Sequence, residues 1–293
     1  MMLSKMITGI LNIVELKEIT AKRFDLLEKK KVLPLPKTLI HNIRSTDLEK
    51  FLKGPAVESL KENGLLIIQL DKLLSSDTLL NVCSELGTPI AENPTDEVLV
   101  PYIEKEVILN VISNNTNGNS ASQPFTKRHL NLHTECSRRK VVDQPRYLAF
   151  MCCDEGELSS AQTVLVPMKE VFDKLSEKDK KILKNVRYSS DLQTPPFLRT
   201  DRENRNIFSI RDFYPDPMYW SFDDENHAYT AADIHESIKI LLSHMYSVEN
   251  TSGITWKNGM LVIVDNTIFF HGKSASDQID IEKTRHLKRL RIK

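Results

Sequence analysis

The sequence predicts an α+β domain with a β-sandwich or jelly-roll core decorated by helices. Three observations point there. Short apolar strands bracket longer helical inserts, no internal repeat period is visible, and no glycine-rich phosphate loop follows a strand, so a dinucleotide-binding or P-loop sheet has nothing to stand on. The 293 residues are 40% hydrophobic and 27% charged, enough to bury a core, and residues 1–293 are expected to form one domain.

From Ile13 to Leu86 the pattern is mostly helical, with a charged run at Glu28 to Lys31, a connector at Pro34 and Pro36, and a periodic stretch over Leu48 to Leu60. Residues 1–60 are therefore expected to form an N-terminal helical packing segment. Gly64-Leu65-Leu66-Ile67-Ile68, bounded by Asn63 and Asp71, has the pattern of a buried strand. The helix after it stops at Leu86-Gly87-Thr88-Pro89, where Gly supplies a cap and Pro blocks continuation. Val107 to Ile112 reads as another strand. The polar stretch that follows, rich in Asn, Ser and Gly, makes 113–127 either a surface connection or an active-site lid.

Further strands are predicted at Leu130–Glu135, Arg146–Cys152 and Thr163–Val166, then one amphipathic helix across Met168–Val186 with Lys, Asp and Glu on its wet side. A strand near Asn206–Arg211 and a helix across Ala231–Tyr246 lead to two last strands, Met260–Val264 and Arg285–Ile292.

Composition excludes several function classes. The 40 Lys+Arg balance 40 Asp+Glu, so there is no electrostatic footprint for nucleic acid or an anionic membrane. No stretch approaches the ~20 apolar residues that span a bilayer. Met1 to Leu16 is interrupted by Thr8, Gly9 and Asn12 and reads as no signal peptide. Cys83, Cys136, Cys152 and Cys153 form no disulfide framework, which points to reduced thiols and a cytoplasmic protein.

The chemistry centres on Asn131-Leu132-His133-Thr134-Glu135. On a strand, His133 and Glu135 leave the same face about 7 Å apart and can converge on one ion. Far downstream, the apolar run into Asp265-Asn266 reaches His271-Gly272, a second imidazole that a closed jelly roll can bring opposite the first. Two His and one carboxylate with open positions is the facial arrangement of non-heme Fe(II) oxygenases. Arg285 lies 14 residues after His271, and its planar fork suits a carboxylate. Thr163 lies 30 residues after His133, where its hydroxyl could help hold the same carboxylate. A zinc hydrolase with the same three ligands would leave Arg285 and Thr163 unexplained, and a metal-binding jelly roll without turnover is a third reading.

Leu132-His133-Thr134-Glu135, Gln144-Pro145-Arg146-Tyr147-Leu148, Ala161-Gln162-Thr163 and Gly259 through Asn266, leading to His271-Gly272 and Arg285, resemble the taurine dioxygenase superfamily of Fe(II)/2-oxoglutarate-dependent oxygenases over residues 60 to 293. Glu135 at the metal and the 14-residue step to Arg285 look more like the clavaminate synthase branch, which includes hydroxylases of free amino acids. The resemblance implies a double-stranded β-helix fold, with Fe(II) on His133, Glu135 and His271. It also implies 2-oxoglutarate and O2 as cosubstrates, Arg285 with Thr163 on the distal carboxylate of 2-oxoglutarate, and Arg289 near the same site. Expected activity is hydroxylation of a small amino acid or a derivative, with desaturation or ring closure as alternatives. Halogenases that resemble this site carry Gly or Ala where Glu135 stands.

The chain departs from the family at Met260, where an acidic residue is usual, and at Lys273, where Arg usually follows His-Gly. Arg211 and Asp212, on the segment that looks similar to the pocket-lining strand, and Arg138 just after the metal strand are the candidate substrate contacts; exposed charges of this kind often contribute little. Phe213, Tyr214, Tyr219 and Trp220 could wall a pocket or pack in the core.

Overall fold

The structure, a computed structural model, describes residues 5–12, 16–29, 31–92, 97–113, 125–126, 128–156, 161–189, 193–201, 203–224, 228–275 and 284–293. The chain begins with β1 (Lys5–Leu11), α1 (Lys17–Arg23), β2 (Ile40–Ile43), α2 (Leu48–Leu52), α3 (Pro55–Asn63), β3 (Leu65–Leu70) and α4 (Ser76–Ser84). It continues through β4 (Ile103–Glu104), β5 (Ile108–Ile112), β6 (Leu130–His133), β7 (Tyr147–Asp154), β8 (Thr163–Pro167), α5 (Met168–Lys174) and α6 (Glu177–Leu183). Then come β9 (Val186–Tyr188), β10 (Leu198–Thr200), β11 (Asn206–Phe208), β12 (Met218–Asp224), α7 (Ala231–Met245), β13 (Ser252–Ile254), β14 (Met260–Asp265), β15 (Phe269–Lys273) and β16 (His286–Ile292).

Two sheets form the jelly-roll core. The major one runs β2-β3-β14-β7-β16-β5-β4 and the minor one β13-β8-β15-β6. Strand alternation assigns their faces. On β14, Leu261 and Ile263 join Leu66 and Ile68 beneath α2, α3 and α4, whereas Val262 and Val264 turn inward toward Leu165 and Ile254 of the minor sheet. On β6, Leu132 packs outward against the core of α5, α6 and α7, which leaves His133 facing in. Each buried Leu or Ile contributes about 1.5–3 kcal/mol, so every inward polar residue forgoes that gain and needs another reason to be there.

The structure corrects three expectations. The first 60 residues are not purely helical: β1 pairs antiparallel with β12, and β2 pairs parallel with β3. Gly9 explains part of this, because a Cβ there would lie 2.2 Å from the Trp220 ring that covers it. The predicted Met168–Val186 helix is two helices, since Ser176 accepts a hydrogen bond from the Asp179 amide and starts α6 afresh. The strand at 130–135 stops at His133. Of the possible lid over 113–127, residues 114–124 and 127 lie outside the described residues.

The turn from α3 into β3 depends on Gly64, whose φ of 66° is left-handed and whose N–H donates to the Leu60 carbonyl at 2.8 Å. We expect Gly64→Ala to lower stability by about 1–2 kcal/mol, read from the urea midpoint, because L residues strain in that region. An unchanged midpoint would show that the turn relaxes without cost.

Candidate active site

A cavity of about 510 Å3 opens between the sheets, a size suited to a small ligand. β16 and the residue before it supply one wall by period-two alternation, with Arg285, Leu287, Arg289 and Arg291 all lining the space. From the minor sheet come His133, Thr163, His271 and Lys273.

His133 and His271 are direct partners across β6 and β15, so both rings leave the same face, with centroids 4.2 Å apart. Gly272 allows this approach: a Cβ there would lie 2.6 Å from the Leu130 carbonyl oxygen. Glu135 reaches the pair from the turn beyond β6, not from the strand itself. Cys136 takes a left-handed φ of 57°, and Asn266 clamps the Glu135 backbone, accepting from its N–H at 2.8 Å and donating to its carbonyl at 3.3 Å. Glu135 Oε2 then lies 3.9 Å from His133 Nε2 and 3.8 Å from His271 Nε2.

These three side chains offer one ligand atom each, all within 4.8 Å of one another. Their chemistry fits a ferrous ion. His133 Nδ1 faces the Asn131 carbonyl at 2.8 Å, the contact that places the proton on Nδ1 and leaves Nε2 bare. Burial, then the neighbouring His271 and Arg211, hold the His133 imidazole well below its usual protonation range, so it is neutral. Burial alone would push the Glu135 carboxyl up. Arg289, His271 at 3.8 Å and Arg291 outweigh it and hold the group well below its usual range, so it is ionised. Metal binding requires neutral imidazole and ionised carboxylate ligands, the states His133 and Glu135 hold here.

The other oxygen of Glu135 belongs to the protein. Arg289 Nη1 donates to Oε1 at 3.2 Å, and Arg291 Nη1 lies 3.7 Å from it. Glu92 neutralises both arginines, with Arg289 at 2.8 Å on Oε1 and Arg291 at 2.6 Å on Oε2. Glu135 thus turns one oxygen to the metal position. Because partners behind a metal ligand commonly set its affinity, we expect Asn266→Ala to weaken Fe(II) binding by about 10–100-fold in an anaerobic titration. Wild-type affinity would show that the turn holds Glu135 without it.

At the other end of the cavity stand Arg285 and Lys273, 3% and 7% exposed. Arg285 donates to the Ala161 carbonyl at 2.6 Å, and Lys273 to the Thr126 carbonyl. Among the described residues neither has a carboxylate within ion-pair distance. Burial pushes Arg285 down to about 10; burial and then Arg285 push Lys273 down to about 7. A buried guanidinium beside an amine that an anion would charge, with no acid partner among the described residues, forms a site for an anion. Thr163, paired in register with Lys273, also lines the space, its hydroxyl accepting from Trp256 Nε1 at 3.0 Å.

Sequence reasoning placed most of these residues but not all. Arg138 and Arg211 line the cavity. Arg289 lines it too, yet its guanidinium is tied to Glu135 and Glu92, not to the end where Arg285 and Thr163 stand. Asp212 does not line it: its carboxylate is buried in an ion pair with Arg23 at 2.6 Å and accepts from the Tyr246 hydroxyl at 2.7 Å, so its expected substrate role is replaced by a structural one. Of the aromatic group, Phe213 lines the cavity while Trp220 is core. Glu92, Arg291, Asn266 and Lys273 were not among the predicted site residues. Alternation from Arg285 and from His271 could have found Arg291 and Lys273; nothing local marks Glu92.

The taurine catabolism dioxygenase TauD, TfdA family matches residues 34–291. No curated protein sequence matches the chain. Solved structures with the same fold include PvcB from Pseudomonas aeruginosa, at 16% identity and a TM-score of 0.56, covering 83% of this chain and 79% of that one. An asparagine oxygenase bound to Fe(II), 2S,3S-3-hydroxyasparagine and succinate is 14% identical, with a TM-score of 0.57 and coverage of 87% and 93%. A taurine dioxygenase from Burkholderia xenovorans is 12% identical, with a TM-score of 0.58 and coverage of 89% and 90%.

Proposed function

The chain belongs to the taurine catabolism dioxygenase TauD, TfdA family, and from that premise we propose that it hydroxylates a C–H bond of a small amino acid or amino-acid-derived metabolite. Fe(II) with 2-oxoglutarate and O2 supplies the oxidant: one oxygen atom enters the substrate as hydroxyl, and the other enters succinate as 2-oxoglutarate loses CO2. The similar folds of an asparagine oxygenase and of PvcB, an iron and alpha-ketoglutarate dependent oxygenase from an isonitrile synthetic pathway, support the substrate class.

The carrying observation is the convergence of His133, Glu135 and His271 within 4.8 Å in a cavity that also holds Arg285. In this reading the three ligands hold Fe(II), and Arg289 and Arg291 keep Glu135 on one oxygen. Arg285 receives the distal carboxylate of 2-oxoglutarate in its planar fork, with Thr163 beside it and Lys273 adding a second positive charge. Leu109, Val111, Phe150 and Leu287 wall the space with apolar surface and exclude water, while Arg211 and Arg138 receive the substrate.

The test is turnover. Purified protein with Fe(II), 2-oxoglutarate and O2 is offered a panel of amino acids and their derivatives. Substrate-dependent succinate with a product one oxygen heavier is expected; a product two hydrogens lighter would assign desaturation or ring closure instead. Succinate that never rises above the substrate-free rate would contradict the proposal. No helix among the described residues is long and apolar enough to cross a membrane, and all four cysteines are free, which suits the expected cytoplasmic location.

A further inference from the structure

Resting on the dioxygenase reading above, we infer that Trp256 is a positioning residue for 2-oxoglutarate: its indole N–H holds the acceptor side of the Thr163 hydroxyl and so turns the hydroxyl proton toward the distal carboxylate. The chemistry of the pair sets the direction. An indole N–H can only donate, so in their 3.0 Å contact Trp256 is the donor and Thr163 Oγ1 the acceptor. A hydroxyl has one proton and two lone pairs, and its proton rotates to suit its surroundings. With one lone pair held by Trp256, the proton must point away from the indole. Thr163 lines the cavity, and Trp256 is buried behind it among Leu165, Ile254 and Val262. Away from the indole is therefore the cavity side.

Register ties this pair to the cosubstrate end of the cavity. Thr163 lies directly opposite Ile254 of β13 on one side and Lys273 of β15 on the other. Residues so paired share a face of the sheet, and Trp256 follows Ile254 by two positions. Arg285 Nη1 donates to the carbonyl of Ala161 at 2.6 Å, so the short segment Ala161–Thr163 carries the hydroxyl and fixes the guanidinium as well. The opposite face of the same segment locks the indole in place. Gln162, 1% exposed, donates to Thr255 Oγ1 at 3.0 Å and to the Leu33 carbonyl at 3.1 Å, and accepts from the Leu33 N–H at 2.8 Å. The residue before Trp256 is thus bonded to the residue before Thr163. An ionised carboxylate only accepts hydrogen bonds. A hydroxyl already turned toward it loses little rotational freedom when it binds, which is how a preorganised donor adds affinity.

Isothermal titration calorimetry under argon tests this on the Fe(II)-loaded protein, with 2-oxoglutarate as titrant. The proteins compared are the wild type, Trp256→Phe, Thr163→Val, Thr163→Ser and the double variant Trp256→Phe/Thr163→Val. Thr163→Val removes the hydroxyl at nearly constant shape and should weaken binding about tenfold or more, the scale of a hydrogen bond to a charged group. Thr163→Ser keeps the hydroxyl and should keep most of the affinity. Trp256→Phe keeps an aromatic ring without the donor. It should weaken binding about three- to tenfold on its own but less than about twofold when Thr163 is already valine, because the two side chains act through one bond. A ring that only packs would weaken binding by the same factor in both backgrounds, and that result would overturn the inference. So would wild-type affinity in Trp256→Phe or in Thr163→Val, or a loss in Thr163→Ser as large as in Thr163→Val. Trp256→Leu and Thr163→Ala complete the cycle if either first choice does not fold. If 2-oxoglutarate fails to bind the iron-loaded wild type, the dioxygenase reading itself falls, a result seen before any variant is compared.

Discussion

Replacing His271 with alanine is expected to empty the protein of ferrous ion and abolish succinate formation, and His133→Ala should do the same. Each substitution removes one of the three ligand residues found among the described residues, and the two rings, tilted 49° with centroids 4.2 Å apart, serve the same metal position, so neither replaces the other. The fold should survive. His271 Nδ1 is buried without a hydrogen-bond partner, so alanine also removes an unsatisfied polar atom from the apoprotein. Iron content after anaerobic loading and desalting, measured beside the thermal midpoint, separates the outcomes. Loss of iron at a retained midpoint is predicted, whereas stoichiometric iron in either variant would mean that the ligands are wrongly assigned.

Arg285→Met should act in opposite directions on binding and on stability. Its guanidinium is buried with a single carbonyl to bond and no carboxylate partner among the described residues, so the empty site carries an uncompensated charge. Losing one member of a buried charge pair costs about 2–5 kcal/mol, which puts the fall in 2-oxoglutarate affinity at roughly 30-fold or more. Removing an unpaired buried cation from the apoprotein should leave its thermal midpoint unchanged or raised. Arg285→Lys keeps the charge but not the fork and should show a smaller rise in the 2-oxoglutarate requirement. Unchanged cosubstrate dependence in both variants, with iron still bound, would show that another group is the anchor.

Which parts of the site could be read from the sequence follows the range of the forces involved. Strand alternation is local, so the inward face of β14 and the placement of His133 opposite a downstream imidazole were accessible from residue order. Glu135 was accessible as a ligand but not by the right route, since it reaches the metal position from a turn held by Asn266, 131 residues away. Asp212 was misplaced because its partner, Arg23, lies 189 residues earlier and no short-range pattern joins them. The same holds for Glu92, whose role depends on Arg289 and Arg291 at the far end of the chain. β1 was missed because a Gly-containing strand gives weak periodicity; it forms where the Trp220 ring needs a residue without a side chain.

The central claim, that two imidazoles and one carboxylate hold ferrous ion beside an anchored 2-oxoglutarate, is tested most directly by visible spectroscopy without oxygen. Adding Fe(II) and then 2-oxoglutarate to the wild-type protein under argon should produce a metal-to-ligand charge-transfer band, which His271→Ala lacks and which Arg285→Met forms only at much higher 2-oxoglutarate. A wild-type protein fully loaded with iron that shows no such band at saturating 2-oxoglutarate would contradict the account.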